Sequence, residues 1–193
     1  PGTFDDAIAK LDHLAALGIN AVELLPVMEY PTDYSWGYNL AEPYAVENIG
    51  YGGPDGLKRF VKAAHARGIR VLLDIVHNHY GPSDLDLWGY DNGATPGIHF
   101  NSGALGQTPW GDTRPNYALQ GVRSFIIDNF NLWMDEYHVD GFRWDAVGAM
   151  LPHRITLVSV GLLAPPLLAL LYSAPPVEPA ALRLKVTLVK LGL

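Results

Sequence analysis

The segment IRVLLDIVHNH, residues 69–79, decides how this chain folds. Its first half is an almost continuous apolar run, which is typical of a strand covered on both faces in a parallel sheet. Its second half ends in an acid, an amide and two imidazoles. Such groups at the end of a buried strand cost desolvation energy unless they bond one another or a ligand. The segment therefore predicts a strand that carries chemistry at its carboxyl end.

Helical patterns alternate with apolar runs on both sides of this segment. Thr3 is the predicted N-cap of the first helix, Asp5 and Asp6 lie in its first turn, and Gly18 is its stop. We predict helices over residues 3–17, 54–67 and 120–137, and strands over residues 19–25, 69–76 and 139–147. This regular alternation predicts parallel βαβ units.

Two α/β architectures fit that alternation, an open doubly wound sheet and a (β/α)8 barrel. An open nucleotide-binding sheet should carry a glycine-rich turn after a strand, and the chain has neither a G-x-G-x-x-G segment nor a P-loop. Polar residues at the ends of successive strands favour the barrel. We predict a partial (β/α)8 TIM barrel of about the first four strands, with an excursion at residues 78–119 after the third strand.

Composition narrows the classes of function. The 193 residues carry a net charge of −7 and no cysteine. The charge argues against a nucleic-acid or anionic-membrane partner, and the lack of cysteine excludes disulfides and thiolate metal sites. We expect no nucleic-acid or membrane partner and a cytoplasmic location. The oligomeric state is left open.

The last part of the chain has a different character. Residues 151–193 are rich in Leu, Ala, Pro and Val, and Glu178 is their only acid. An apolar run at residues 155–172 is about as long as a membrane span, but paired prolines interrupt this region. We expect residues 1–150 to form the N-terminal half of a catalytic barrel, and residues 151–193 to be foreign to that fold.

A second polar strand end lies in the segment GFRWD, residues 141–145. Arg143 and Asp145 are two residues apart, so on a strand both side chains face the same side. Because arginine stays protonated, it can hold the neighbouring carboxylate ionised, as a nucleophile at a sugar carbon requires. The alternative is a structural ion pair. For the first segment the alternatives are capping of a loop and a shared metal site of His77 and His79, which we do not predict.

The two segments together resemble a known family. Residues 74–79 resemble the D-x-V-x-N-H strand end of the α-amylase superfamily of glycoside hydrolases, and residues 141–145 resemble its G-x-R-x-D strand. The excursion between them lies where that family carries its small B domain. Ser35-Trp36-Gly37-Tyr38 is similar to a segment of glycogen branching enzymes and of maltooligosyl-trehalose hydrolases, as are the segments at 52–54, 64–68, 108–112 and 137–141. The resemblance covers about residues 2–150.

The resemblance implies a role for each matching residue. Asp145 would be the nucleophile that forms a β-glucosyl-enzyme, and Arg143 would hold it charged. Asp74 would orient Arg143 from the neighbouring strand. His79 would hydrogen-bond the sugar in the cleavage subsite, and Tyr38 would stack beneath that sugar.

Three further residues follow from the same resemblance. Trp36 and Trp110 would form subsite walls, because aromatic faces suit the apolar faces of sugars; ordinary packing is the alternative. Asn78 matches a calcium ligand of many amylases, but branching-type members often lack that ion. We predict neither a metal nor a cofactor, and an α-glucan or maltooligosaccharide as the substrate.

One part of the family pattern is missing. The family uses a glutamic acid at the end of the next strand as its acid/base, and Glu178 lies in a proline-rich segment that matches no such strand. We therefore expect an inactive fragment of an enzyme that cleaves or transfers at α-1,4-glucosidic bonds. Branching is the favoured type and trehalose-releasing hydrolysis the alternative. A non-catalytic glucan-binding protein and an α/β protein unrelated to carbohydrates are the other classes.

Overall fold

A computed structural model describes residues 2–32, 34–81, 86–89, 96–150 and 187–188. The helices are α1 (Phe4–Ile8), α2 (Leu11–Ala16), α3 (Gly53–His65), α4 (Asp86–Gly89) and α5 (Gln120–Asp135), with short 3-10 helices at Gly103–Leu105 and Val147–Met150. The strands are β1 (Ala21–Leu24), β2 (Met28–Glu29), β3 (Glu42–Val46), β4 (Arg70–Ile75), β5 (Gly141–Trp144) and β6 (Thr187–Leu188). The predicted alternation of helices and apolar strands is confirmed.

The main sheet has the strand order β5-β4-β1-β6. Strands β1, β4 and β5 are mutually parallel, whereas β6 pairs with β1 in the antiparallel direction. The described residues thus contain three strands of the parallel set, where about four were predicted. Among the described residues, the long excursion follows β4, the second of these three strands.

Two amphipathic helices cover this sheet. Helix α3 buries Leu57, Phe60, Val61 and Ala64, and α5 buries Val122, Ile126, Phe130 and Trp133. These side chains share one core with the strand residues Val22, Leu24, Val71 and Leu73. Residues Val22, Leu24, Val71 and Leu73 are fully buried in this core, which accounts for the apolar character of β1 and β4.

The N-terminal helix differs from its prediction. Thr3 is the N-cap, as predicted, and it forms a capping box with Asp6, but the helix ends at Ile8 and a second one begins at Leu11. At Lys10 the backbone N–H bonds the Ala7 carbonyl, three residues back and not four. This tighter turn separates α1 from α2. The spacing of the apolar residues did not reveal the break.

Two other boundaries were also wrong. Residues 28–53, for which neither a helix nor a strand was predicted, contain the two-stranded sheet of β2 and β3. Glu42 and Pro43 begin β3, and such residues are depleted in strands. Strand β5 ends at Trp144, not at residue 147, because Ala146 adopts a positive φ of 41° and turns the chain out of the sheet.

Strands β4 and β5 are joined at both ends. At the amino end, the Asp140 N–H donates to the Val71 carbonyl at 2.8 Å, and Asp140 Oδ2 accepts from the Val71 N–H at 2.8 Å. The same Oδ2 lies 2.7 Å from Nε2 of His65 on α3. At the carboxyl end, the Asp145 N–H donates to the Ile75 carbonyl at 2.9 Å.

The excursion returns to the sheet beside its point of departure. The Tyr80 carbonyl accepts from Thr113 Oγ1 at 2.8 Å, and Tyr117 Oη donates to the His77 carbonyl at 2.6 Å. Residues 82–85 and 90–95 of the excursion, and residues 151–186 and 189–193, lie outside the described part, and so does the apolar run at residues 155–172. Among the residues that are described, no helix has the length and apolar character of a membrane span.

Candidate active site

The parallel register of β4 and β5 brings the two polar strand ends together. Asp74 and Arg143 are Cα partners in neighbouring strands, and Asp145 follows β5 directly. The carboxyl ends of parallel strands lie at one edge of the sheet, where open α/β and barrel proteins place their sites. The three side chains therefore lie close together at that edge.

Arg143 bridges two carboxylates. Its Nη1 donates to Asp74 Oδ1 and Oδ2 at 2.8 and 2.7 Å, and to Asp145 Oδ1 at 2.9 Å. Exposed fractions of these side chains are 13% for Arg143, 1% for Asp74 and 17% for Asp145. Asp145 thus keeps the most contact with solvent of the three and is the carboxylate that a ligand can reach.

Burial sets the protonation behaviour of the cluster. It raises the pKa of Asp74 to about 6, although the hydrogen bonds from Arg143 and Tyr38 act in the opposite direction. Burial disfavours the charged form of Arg143, but its hydrogen bond to Asp74 and the charge of that carboxylate raise the net pKa of the guanidinium. Arg143 consequently remains a permanent cation between the two acids.

Tyr38 joins the cluster from the loop between β2 and β3. Its hydroxyl donates to Asp74 Oδ2 at 2.6 Å. Burial, together with the charge of Asp74, raises the pKa of Tyr38, so the phenol stays neutral and can donate. Gly37 has a φ of 85°, and a Cβ there would lie 2.4 Å from the Pro26 carbonyl oxygen. Only glycine lets this loop run so close to the end of β1.

Asn78 and His79 complete the cluster on its other side. Asn78 is fully buried, and its Nδ2 donates to the carbonyl and to Oδ2 of Asp145, both at 3.1 Å. His79 Nδ1 lies 2.6 Å from Asn78 Oδ1. Burial lowers the pKa of His79, while the charge of Asp145 and the carbonyl of Tyr38 oppose that change.

Two tryptophans were predicted as walls of the site. The indole of Trp110 stacks on the His79 ring, with centroids 5.1 Å apart and an angle of 25°, and 55% of Trp110 is exposed. Trp36 is 38% exposed on the loop that carries Tyr38. Among the described residues, no ring contact joins Trp36 to His79 or Trp110. Trp110 is therefore the aromatic face that adjoins the cluster.

His77 serves a different purpose from His79. It is buried, and its two ring nitrogens lie 3.0 Å from Tyr80 Oη and 3.1 Å from Asn129 Oδ1. Burial lowers the pKa of His77 to about 3. Asn129 in turn accepts from Trp133 Nε1 and donates to the Pro43 carbonyl. His77 therefore ties the end of β4 to α5, away from the Arg143 cluster.

The donor set around Asn78 does not fit a calcium ion. Both polar atoms of its amide already face protein partners, Asp145 on one side and His79 on the other. Calcium takes six to eight oxygen ligands at about 2.3–2.6 Å. Within the described ranges, no group of three or more His, Cys, Asp or Glu residues is placed to hold a metal ion.

Sequence reasoning missed two features of this cluster. It singled out Asn78 only as a possible metal ligand, whereas the structure places its amide on Asp145. Nor does the sequence mark Ala146, which directly follows Asp145 and has a positive φ. Asn78 lies within the first motif and Ala146 directly follows the second, and the sequence carries no other signal for these two features.

Comparisons with known proteins show which sequences and folds this chain is similar to. Residues 1–87 match the family model described as the alpha-amylase catalytic domain, which bears out the resemblance seen in the sequence. A malto-oligosyltrehalose trehalohydrolase from Saccharolobus solfataricus is 41% identical over 153 residues, which are 78% of this chain and 26% of that protein. A 1,4-alpha-glucan branching enzyme, GlgB, from Picrophilus torridus is 41% identical over 142 residues, 73% of this chain and 20% of that protein.

A solved structure gives the same result for the fold. The crystal structure of a candidate alpha amylase from Salmonella typhimurium has 38% sequence identity and a TM-score of 0.71, over 82% of this chain and 26% of that one. The chain thus spans about a quarter of the length of the proteins it matches. The family and this similarity imply a TIM-barrel fold, to which the described residues contribute three parallel strands.

Proposed function

We propose that this chain carries the nucleophile side of a retaining α-glucan active site, in which Asp145 attacks the anomeric carbon. The observation that carries the proposal is the position of Arg143 Nη1 between Asp74 and Asp145. A carboxylate that forms a glucosyl ester must be ionised and held in one orientation. The guanidinium supplies the charge, and the buried Asp74 holds the guanidinium in place.

The other contacts suit a sugar ring beside Asp145. The Tyr38 hydroxyl is used by Asp74, which leaves the ring face as the part of Tyr38 that can pack under an apolar sugar face. His79 stands next to Asp145 and can exchange a hydrogen bond with a sugar hydroxyl. The exposed indole of Trp110 extends this surface beyond His79. Trp36 remains the proposed wall on the Tyr38 side.

The proposed first step is a displacement at the sugar. A carboxylate oxygen of Asp145 forms a bond to C1, the bond from C1 to the leaving oxygen breaks, and that oxygen takes a proton from a general acid. Among the described residues, only Asp74 and Asp145 contribute carboxylates to the hydrogen-bonded cluster, and Asp74 is held by three donated hydrogen bonds. The general acid would have to come from outside this cluster.

The type of reaction follows from the fate of the glucosyl ester. Transfer to a sugar hydroxyl would make this the site of a 1,4-α-glucan branching enzyme, which the segment at Ser35–Tyr38 favours. Release to water would make it the site of a trehalose-releasing hydrolase, which the relative from Saccharolobus solfataricus favours. Transfer and hydrolysis share the steps that form the glucosyl ester, and these steps use the same residues. Formation of the ester is therefore what the experiment should measure.

A substrate with a good leaving group tests the proposal without the general acid. In α-maltosyl fluoride carrying a second fluorine at C5 of the reacting ring, fluoride leaves without a proton and the resulting ester is long-lived. Intact-mass spectrometry of the full chain should show one glycosyl adduct, mapped to Asp145 by peptide digestion. Asp145→Asn should abolish the adduct, and Asp12→Asn, at an exposed acid paired with Arg67, should not change it.

A non-catalytic glucan-binding protein is the second candidate, and the exposed stack of Trp110 on His79 favours it. Such a protein would bind maltoheptaose in a calorimeter without forming the adduct. Its affinity would fall in Tyr38→Ala and stay the same in Asp145→Asn. A chain that shows neither binding nor adduct would contradict both candidates.

A further inference from the structure

The amide of Asn78 lies between the proposed nucleophile and the histidine beside it. Its Nδ2 is 3.1 Å from the Asp145 carbonyl oxygen and 3.1 Å from Asp145 Oδ2, and its Oδ1 is 2.6 Å from His79 Nδ1. The side chain is fully buried. The amide itself is therefore out of contact with water.

The contacts to Asp145 decide which way the amide faces. A carbonyl oxygen and an ionised carboxylate oxygen are both acceptors only, so the amide must turn its NH2 group towards them. Its oxygen then faces His79 Nδ1, and two acceptors 2.6 Å apart would repel each other. His79 Nδ1 must consequently carry a proton and donate it to Asn78.

The backbone after Asp145 depends on the same amide. Ala146 has a φ of 41°, which is unfavourable for a residue with a Cβ. Such a conformation persists only where neighbouring contacts hold it. Here Asn78 Nδ2 holds the Asp145 carbonyl, and the Ile75 carbonyl holds the Asp145 N–H.

We infer that Asn78 is a positioning residue with two effects: it orients the Asp145 carboxylate, and it fixes a proton on His79 Nδ1. The inference rests on the proposed function for its meaning in catalysis, but not for its geometry. In this chain the Asn78 amide thus contacts Asp145 and His79 in place of a calcium ion.

The protonation of His79 can be read directly in the full chain. Long-range nitrogen–proton correlation spectra of protein labelled with ¹⁵N-histidine, recorded at pH 7.5, distinguish a protonated Nδ1 from a bare one. His79→Gln identifies the His79 signals by their loss. We expect Nδ1 of His79 to be protonated, whereas the neutral side chain of a solvent-exposed histidine prefers the proton on Nε2. A bare Nδ1 in the unaltered chain would overturn the inference.

Two variants separate the two effects. Asn78→Asp keeps an acceptor for His79 but places a carboxylate against Asp145. Nδ1 should stay protonated, and the rate of adduct formation from the fluorinated substrate should fall roughly tenfold or more. Asn78→Ala removes the acceptor, so the His79 proton should shift towards Nε2. An unchanged Nδ1–H in Asn78→Ala, or a bare Nδ1 in Asn78→Asp, would count against the inference.

Asn129→Ala is the matched control, because Asn129 is also fully buried and also lies against an imidazole, that of His77. It should alter the His77 signals and leave those of His79 in place. If Asn78→Ala does not fold, the unaltered chain and Asn78→Asp still decide the question. The spectra require no sugar, so absence of the adduct would contradict the proposed function alone, and a bare Nδ1 would contradict this inference alone.

Discussion

Asp74 lies beside Arg143 in the parallel register of β4 and β5, and both of its carboxylate oxygens accept hydrogen bonds from the same guanidinium nitrogen. The Asp74 side chain of this pair is almost completely buried. Removing one member of such a pair leaves a buried charge without a partner, which costs far more than the intact pair contributes. The first prediction follows from that asymmetry.

Arg143→Ala should lower the free energy of unfolding by about 3–5 kcal/mol and abolish the Asp145 adduct. Urea denaturation followed by circular dichroism measures the first effect, and intact-mass spectrometry measures the second. Arg59→Ala removes an exposed pair with Asp5 and should leave both nearly unchanged. Equal losses in the two variants would show that Arg143 is not a buried partner of Asp74.

Tyr38→Phe and Tyr38→Ala should separate the hydroxyl from the ring. Loss of the hydroxyl removes one donor from the buried Asp74 and should cost about 1–3 kcal/mol in unfolding free energy, while maltoheptaose binding persists. Loss of the ring should weaken binding as well, as titration calorimetry would show. Tyr34→Phe, at an exposed tyrosine on the same loop, is the control. Binding that survives Tyr38→Ala would contradict the proposed packing of a sugar on Tyr38.

Gly37→Ala should be more destabilising than Gly18→Ala, although both glycines have a positive φ. A Cβ at Gly18 meets nothing within 4 Å, so the substitution costs only backbone strain, about 1 kcal/mol. A Cβ at Gly37 would lie 2.4 Å from the Pro26 carbonyl oxygen and must displace the loop that carries Tyr38. Denaturation midpoints compare the two variants, and equal values would mean that the loop can move without cost.

Acid should destabilise the fold through His77. Burial lowers its pKa in the folded chain to about 3, below the ordinary value of 6.5, so between these values the unfolded chain binds the proton and the folded chain does not. The stability contributed by a neutral His77 is therefore complete above pH 6.5 and is lost as the pH falls towards 3. His99, with a pKa lowered to about 4 by burial, acts in the same direction.

The contribution of His77 is isolated by comparing variants. His77→Gln keeps hydrogen-bonding groups but cannot gain the charge, so its unfolding free energy should decline less than that of the unaltered chain between pH 6.5 and pH 4.5. His13→Gln, at an exposed position of α2, should follow the unaltered chain. Parallel pH curves for all three proteins would contradict the prediction.

The meeting of Asp74, Arg143 and Asp145 could be predicted because it depends on strand order alone. Parallel strands place their carboxyl ends at one edge, so polar residues at those ends converge whatever the detailed packing. The contact of Asn78 with Asp145 and of Tyr38 with Asp74 could not be predicted in this way. Both depend on loop conformations that are set by close approaches, such as that of Gly37 to Pro26.

The fold shows the same division between strong and weak sequence signals. Helices α3 and α5 bury long apolar stripes, which the spacing of their residues reveals. Strand β2 has two residues, and β3 begins with Glu42 and Pro43, so neither has a period to detect. The break between α1 and α2 arises from a shift of one hydrogen bond at Lys10, which leaves the apolar spacing intact.

Strands β4 and β5 are joined at Asp140 and again at Asp145. The number of residues between these two positions is therefore fixed. Successive residues of a strand face opposite sides, so a single inserted or deleted residue would carry Arg143 to the helix-covered face and leave Asp74 without a cation. Many such changes would preserve the apolar composition of the strand. Related chains should therefore tolerate varied side chains within β5 but no change in the count of residues from 140 to 145.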